Sequence, residues 1–206
     1  MIVAIDGPAG SGKGTITKNV ERKLGFLNLD TGATYRCVAL ETLRNNLRLD
    51  QETEIIKIAQ NIKIEIDNKG NNDIIYLNGE DVSTKIREKE VTAIVSQVSS
   101  IIPVREEMVK VQRNLAKGKN VIVEGRDIGT VVFPNADLKI YLDASEEIRA
   151  KRRYKENVEN GINTTYEEVL ENVKLRDYND KNKKVGALKK AEDAVVIDSS
   201  KMNIDE

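Results

Sequence analysis

A glycine-rich loop near the start of the chain constrains the fold more than any other feature. The loop Gly7–Thr15 reads Gly-Pro-Ala-Gly-Ser-Gly-Lys-Gly-Thr and follows the apolar run Ile2–Asp6, which is typical of a buried strand. From Ile16 to Leu24 the chain takes up a helical period. In this order, strand, loop and helix are typical of proteins that bind phosphate through backbone N–H groups and a helix N-terminus. We therefore expect an α/β fold that binds a nucleoside triphosphate.

The lysine and the hydroxyl of this loop have distinct predicted roles. Lys13 is expected to reach the β- and γ-phosphates, and the hydroxyl of Thr15 is expected to hold Mg²⁺. An ordinary glycine-rich turn between a strand and a helix is the alternative interpretation. The predicted ATP-binding residues of the loop are Gly7, Pro8, Ala9, Gly10, Ser11, Gly12, Lys13, Gly14 and Thr15.

Length and charge limit the classes of protein to consider. The 206 residues fit one α/β domain with room for a small insertion. With 33 basic and 34 acidic residues the net charge is -1, which argues against a nucleic-acid partner. No apolar stretch is long enough to span a bilayer, and the N-terminus enters a strand, so we expect a cytoplasmic protein without membrane contact. The single cysteine, Cys37, suits a reducing compartment and is predicted to pack in the core.

The sequence contains no histidine. This excludes Ser-His-Asp and Cys-His catalysis as well as histidine metal sites. Phosphoryl transfer to a phosphate acceptor needs none of these, because a phosphate monoester has a second pKa near ~6 and is already nucleophilic at neutral pH.

Alternating strand and helix patterns predict a parallel sheet flanked by helices. The predicted strands of this sheet are 2–6, 26–30, 120–124, 138–143 and 194–198. Between them, the runs 62–67 and 74–77, a turn cluster at 68–72 and the hairpin signal Asn78-Gly79 predict a small antiparallel unit. A polar stretch from Glu156 to Thr164 with basic residues around it indicates a mobile lid, and a plain helical hairpin is the alternative.

Four stretches of the sequence carry a resemblance to a known family. The Gly-Lys-Gly-Thr of the loop resembles the nucleoside monophosphate kinases. Asp30–Arg36 (Asp-Thr-Gly-Ala-Thr-Tyr-Arg) and Gly125–Pro134 (Gly-Arg-Asp-Ile-Gly-Thr-Val-Val-Phe-Pro) resemble the bacterial cytidylate kinases, as does the segment 176–193 less closely. The resemblance covers nearly the whole chain. It implies a P-loop kinase fold and an enzyme that transfers a phosphoryl group in line from ATP to CMP or dCMP, with Mg²⁺ as cofactor.

The resemblance also implies a division of the chain into functional parts. A core of about 1–61, 104–148 and 184–206 would carry a monophosphate-binding insert at about 62–103 and a lid at about 149–183. Lys13, Arg126 and Arg176 would be catalytic, and Arg149 and Arg153 would close over ATP. The implied CMP-binding residues are Thr31, Tyr35, Arg36, Ser96, Arg105, Arg126, Asp127, Arg176, Asp180 and Lys183, among which Ser96, Arg105 and Asp127 would select the base and Asp180 would contact the sugar.

The chain departs from the family pattern at three positions. Lys183 stands where the family has arginine, and Ala187 stands where it tends to have proline before Leu188. Glu124 ends a predicted strand where the family has aspartate, and strand-end acids of this kind lie near Mg²⁺.

Two alternative functions stay open from the sequence. A related kinase could use UMP or AMP, although the insert and the Gly-Arg-Asp motif argue against AMP. A nucleotide-binding regulator that transfers nothing is the second alternative, and the many arginines argue against it. We expect a monomer.

Overall fold

A parallel sheet with helices on its faces forms the centre of the protein. A computed structural model describes residues 1–69 and 72–206. Along the chain the elements are β1 (Ile2–Asp6), α1 (Lys13–Leu24), β2 (Leu27–Asp30), α2 (Thr31–Arg44), α3 (Glu52–Asn61), β3 (Ile64–Lys69), β4 (Asn72–Leu77), β5 (Glu80–Asp81), α4 (Lys89–Val98), α5 (Ile102–Ala116), β6 (Val121–Gly125), β7 (Leu138–Asp143), α6 (Glu146–Glu159), α7 (Tyr166–Asn182) and β8 (Val195–Asp198). A 3₁₀ turn at Lys85–Arg87 and one turn of π-helix at Ile128–Val132 complete the set.

The parallel sheet has the strand order β2-β6-β1-β7-β8. Its central strands are apolar and buried on both faces, as parallel strands covered by helices require: Ile5 and Ile122 are at most 2% exposed. The predicted five-stranded parallel sheet is therefore confirmed. The strand order changes direction beside β1, and in open sheets of this kind ligands bind at the carboxyl ends of the strands at such a point. The loop after β1 begins there.

A second, three-stranded antiparallel sheet, β3-β4-β5, interrupts the parallel pattern as predicted. Asn78 and Gly79 both have positive φ, 52° and 87°, which matches the twist of a tight hairpin. Of the predicted turn cluster at 68–72, residues 70 and 71 lie outside the described residues. The sheet packs with α2 to α5 around one large core that includes Cys37, Ile55 and Met108, each fully buried.

The helices α6 and α7 pack against each other as a hairpin. Ser145 caps α6 by accepting a hydrogen bond from Ile148 N (3.3 Å), and Thr165 forms a capping box with Glu168 at the start of α7. The prediction of an irregular stretch from Glu156 was wrong in extent, because α6 continues to Glu159 and only 160–165 connect the two helices. In the described part of the chain, every helix is too short or too polar to cross a lipid bilayer.

Candidate active site

The loop between β1 and α1 turns around a buried lysine. A Cβ on Gly7, which has φ of 154°, would lie 2.1 Å from the carbonyl oxygen of Leu142 on β7, so only glycine fits there. Lys13 begins α1, and its Nζ donates to the carbonyl oxygens of Gly7 (2.8 Å) and Pro8 (2.7 Å). The loop therefore holds an ammonium group at its centre, beside the amino end of a helix, which is an arrangement that attracts phosphate.

Burial and several neighbouring charges shift the pKa of Lys13. Burial lowers its pKa to about 7, and the positive charge of Arg126 is the next largest cause. The carboxylates of Glu124 and Asp6 act in the opposite direction, and Arg176 lowers the pKa a little further. Acids and bases from β1, β6 and α7 thus lie close to one point at the carboxyl edge of the sheet.

Glu124, near the end of β6, lies beside the first turn of α1. A Cβ on Gly14 would be 3.3 Å from Oε1 of Glu124. Burial raises the pKa of Glu124 to about 7, and the nearby Asp30 adds to this, while Lys13 and Arg126 oppose it. The sequence indicated an acid here, but its reach toward Gly14 is visible only in the structure.

The oxygen donors around the loop suit Mg²⁺ that is bound partly by substrate phosphates, rather than a metal ion bound only by protein side chains. Within residues 1–69 and 72–206, no group of three or more His, Cys, Asp or Glu side chains could hold a metal ion. Magnesium is usually bound by one or two protein oxygens together with substrate phosphates and water. Glu124 and the hydroxyl of Thr15, which is exposed on the first turn of α1, are such a set.

Three cations of the predicted acceptor site pair with carboxylates. Arg36 on α2 pairs with Asp30 (2.5 Å), and the buried Nε of Arg36 has no hydrogen-bond partner among the described residues. Arg126 Nε donates to Asp180 on α7 (2.7 Å), and Lys183 Nζ lies 3.5 Å from the other oxygen of that carboxylate. Burial acts to raise the pKa of Asp180, but Arg126 holds that pKa below its usual value. Asp180 is therefore a carboxylate that forms ion pairs with both Arg126 and Lys183.

Two of the three residues predicted to read the base form a buried ion pair. Arg105 Nη2 lies 2.5 Å from Asp127 Oδ2, and the side chains are 7% and 8% exposed. Arg105 also donates to the carbonyl oxygen of Ser99 (3.3 Å), and its guanidinium carbon is 5.2 Å from the ring centroid of Tyr35. The structure therefore brings Tyr35, Arg105 and Asp127 together. The hydroxyl of Ser96, which is exposed on α4, has no hydrogen bond to either partner in the part of the chain described.

Three other predicted residues have different surroundings. Thr31 Oγ1 donates to the carbonyl oxygen of Glu124 (2.8 Å), which links the start of α2 to β6. Arg176 is exposed on α7, and its charge acts on Lys13. Arg153 is exposed on α6 and pairs with Glu156 (3.0 Å).

Arg149 lies against the phosphate loop. It is 2% exposed and makes a two-pronged ion pair with Asp177 of α7, with Nη1 3.0 Å from Oδ1. The same guanidinium donates to the carbonyl oxygens of Ala144 (2.8 Å) and Ala9 (3.1 Å). These contacts join the hairpin to the loop, whereas the predicted contact of Arg149 with ATP stays a prediction.

Asp6 is a buried acid that sequence reasoning did not place in the site. It accepts hydrogen bonds from Ile128 N and Gly129 N, both at 2.8 Å, and so fixes the π-helical turn after Asp127. Burial raises the pKa of Asp6 to about 6, although the two backbone donors oppose this. Its position at the end of β1 was the available signal.

The comparisons with known proteins agree over the full chain. A family model described as cytidylate kinase matches residues 3–206. The chain belongs to the cytidylate kinase family. It is 50% identical over 206 residues to a cytidylate kinase of Fusobacterium nucleatum, covering 100% of this chain and 93% of that protein. It is 43% identical to cytidylate kinase 1 of Haemophilus influenzae, covering 100% and 89%.

A solved structure shares the fold of this cytidylate kinase family member. The crystal structure of an uncharacterized protein from Eubacterium ventriosum matches with a TM-score of 0.51 at 12% identity, covering 100% of this chain and 91% of that chain. At this identity the likeness concerns the fold alone.

Proposed function

We propose that the protein transfers the γ-phosphoryl group of ATP to CMP or dCMP, producing ADP and CDP or dCDP. The full-length match to the cytidylate kinase family carries the proposal. The buried Arg105–Asp127 pair supports a pyrimidine acceptor, since an arginine and a carboxylate together match the carbonyl and the amino group of cytosine. Relatives named cytidylate kinase, at 43–50% identity over nearly the full chain, do not favour a kinase for UMP or AMP.

On the donor side, the phosphate loop would bind ATP. Backbone N–H groups of the loop and the amino end of α1 would hold the phosphates, and Lys13 would exchange its contacts with Gly7 and Pro8 for phosphate oxygens. Glu124 and Thr15 would hold Mg²⁺, which when bound neutralises charge on the β- and γ-oxygens.

On the acceptor side, cations must offset the repulsion between two anionic substrates. Two like charges ~4 Å apart at an effective dielectric of ~20 repel by about 4 kcal/mol. Arg36, Arg126 and Arg176 would bind the acceptor phosphate and the migrating group from positions around Lys13. No general base is required, because the acceptor oxygen is already ionised.

The inserted unit and the hairpin would close this site. We propose that 62–103 binds the monophosphate and that 149–183 acts as a lid that excludes water and suppresses hydrolysis. Arg153 is exposed on the hairpin and is available for ATP, and Asp180 would contact the sugar of the acceptor. We further propose a cytoplasmic monomer with no nucleic-acid or membrane partner.

A coupled assay of ADP release with Mg-ATP tests the proposal. The acceptors are CMP, dCMP, UMP, AMP and GMP at equal concentrations. We expect rapid turnover with CMP and dCMP only. Faster turnover with AMP or UMP would assign a different acceptor, and ATP binding without turnover of any acceptor would favour a regulator.

Replacement of Asp127 separates base reading from nucleotide binding in general. In Asp127→Ala the amino group of cytosine loses its acceptor and Arg105 is left unpaired, so we expect CMP turnover to fall by about 10²–10⁴-fold. The affinity for ATP, measured by titration calorimetry, should change less than about twofold. Asp127 is proposed to bind the acceptor base, so its loss removes a hydrogen bond to CMP and none to ATP. Equal losses for CMP and ATP would contradict a base-reading role.

A further inference from the structure

The guanidinium of Arg105 lies against Gly186, a glycine that is not among the predicted site residues. A Cβ built on Gly186 would lie 2.0 Å from Cζ, 2.1 Å from Nη2 and 2.5 Å from Nε of Arg105. Distances under 3.0 Å do not occur for real Cβ atoms, so one of the two groups would have to move. The backbone of Gly186 is therefore in direct contact with the arginine of the buried pair.

The backbone around Gly186 is not free to retreat. Leu188 N donates to the carbonyl oxygen of Asp180 (2.8 Å), and Lys189 N donates to that of Arg126 (3.3 Å). On the other side, Lys183 Nζ lies 3.5 Å from Asp180. The segment 183–189 is thus fastened on both sides of the glycine to residues of the predicted acceptor site.

Arg105 has few other positions available. Its guanidinium is already held by Asp127, by the carbonyl oxygen of Ser99 and by the ring of Tyr35. A methyl group at Gly186 would push Arg105 out of this arrangement and lengthen its contact with Asp127. A charge-assisted hydrogen bond weakens quickly when its geometry is disturbed.

We propose that Gly186 is a specificity-determining positioning residue that seats Arg105 against Asp127 for recognition of the acceptor base. The inference rests on the proposed function and adds to it a residue that touches neither phosphate nor catalytic lysine. The glycine has φ of +67°, which also favours glycine, so the test must separate backbone strain from contact with Arg105.

Gly118 offers a matched control for that strain. Its φ is +72°, and a Cβ there meets no atom within 4 Å. Gly118→Ala and Gly186→Ala therefore carry similar backbone strain, but only the second touches Arg105. Gly118→Ala therefore measures the loss of Tm that comes from backbone strain alone, and we expect a larger loss in Gly186→Ala, which also disturbs the buried Arg105–Asp127 pair.

The readouts are KM and kcat for CMP and for UMP, with Kd for ATP and CMP by titration calorimetry. In Gly186→Ala we expect KM and Kd for CMP to rise by about tenfold or more, with Kd for ATP within about twofold of the parent, since a misplaced base-reading group affects only the ligand it reads. The preference for CMP over UMP should fall in the same variant and stay unchanged in Gly118→Ala.

A double variant checks that the effect passes through Arg105. In an Arg105→Ala background the added methyl group meets no guanidinium, so Gly186→Ala should then change CMP binding by no more than Gly118→Ala does. The same double variant decides the matter if Gly186→Ala alone does not fold: a double variant as stable as Arg105→Ala supports the proposal, and a double variant less stable than Arg105→Ala by more than the Gly118→Ala loss overturns it.

Different results would contradict the CMP kinase activity and the role of Gly186. If the parent enzyme does not turn over CMP, both fail. If the parent is active and Gly186→Ala binds CMP as the parent does, only this inference is overturned. Equal losses of ATP and CMP affinity, or a Gly186→Ala effect that persists without Arg105, also overturn it.

Discussion

The side chains of Lys13, at the start of α1, and Glu124, on β6, attract each other when both are charged. Burial disfavours the charged form of each group. It lowers the pKa of Lys13 to about 7 and raises that of Glu124 to about 7. A nucleoside triphosphate bound without metal brings negative charge, which favours the protonated form of both groups. At pH 8, above both values and above the phosphate pKa of ~6, binding should therefore take up protons.

Titration calorimetry with ATP and EDTA at pH 8, in two buffers of different ionisation enthalpy, measures this uptake. In Glu124→Gln the uptake should fall but not vanish, because Lys13 still titrates. Absence of uptake in the parent enzyme would show that both groups keep the same charge when the nucleotide binds.

Lys183 is the residue of the predicted site that departs most clearly from the family pattern. It lies 3.5 Å from Asp180 as a single point charge, whereas an arginine could present two parallel donors to a phosphate. We expect Lys183→Arg to raise kcat/KM for CMP several-fold in steady-state assays. Lys181→Arg, at an exposed neighbouring position, is the control. Identical kinetics in the two variants would remove Lys183 from the acceptor site.

Among single residues, those that a motif names were predictable and those that depend on packing were not. Arg105 and Asp127 were predicted, together with Ser96, to read the base, and the structure brings the first two together but, among the residues it describes, gives Ser96 no hydrogen bond to either of them. The contact of Gly186 with Arg105 joins residues 81 positions apart in the chain, and neither periodicity nor local spacing indicates it.

At the scale of elements, the pair Arg149–Asp177 joins α6 to α7. Removing one member leaves the other charge buried, which costs about 3–5 kcal/mol in comparable pairs. For a chain of this size that corresponds to a fall in Tm of roughly 6–20 °C. We expect Asp177→Ala to show a loss of this order in thermal unfolding followed by circular dichroism.

Two further variants test the origin of that loss. Glu156→Ala breaks the exposed pair with Arg153 on the same helix and should barely change Tm. Arg149→Leu combined with Asp177→Leu removes both charges and should recover part of the stability. A double variant as unstable as Asp177→Ala would show that the ion pair itself is not the cause.

Most helices and strands were predictable because their apolar periods are clear. The strand β1 and the hairpin turn at Asn78-Gly79 are local signals, and the structure contains both of them. The end of α6 was missed because its last turn is polar. The i,i+3 pair Arg153–Glu156 supports helix there, although neither residue packs in the core.

At the scale of the whole molecule, the proposed site would lie between the sheet, the inserted unit and the hairpin. If the insert and the hairpin close over bound substrates, amides in 160–165 and in α4 should exchange more slowly when an ATP analogue and CMP are bound together. Hydrogen-exchange mass spectrometry measures this, with each nucleotide alone for comparison and β1 and β6 as the internal reference. The same exchange in all states would contradict a mobile lid.

The global arrangement followed from the sequence only with the family resemblance. Alternating strand and helix patterns predicted five parallel strands and a small antiparallel unit, and both are present. The order β2-β6-β1-β7-β8 is set by long-range pairing such as Leu27 with Val121, for which the chain carries no local pattern. The family resemblance implied the P-loop kinase fold, but the strand order was not predicted.

That strand order also has a consequence for how the protein is made. In the parallel sheet β6 lies between β1 and β2, so neither early strand can pair with β6 until the chain has been synthesised as far as Gly125. At ~5–20 residues per second, a ribosome needs several seconds to synthesise the chain from β2 to β6. Throughout that time two apolar strands lack their neighbours, while the antiparallel unit at β3-β4-β5 is local and can pair early. The nascent chain is therefore expected to depend on chaperones most strongly before β6 emerges.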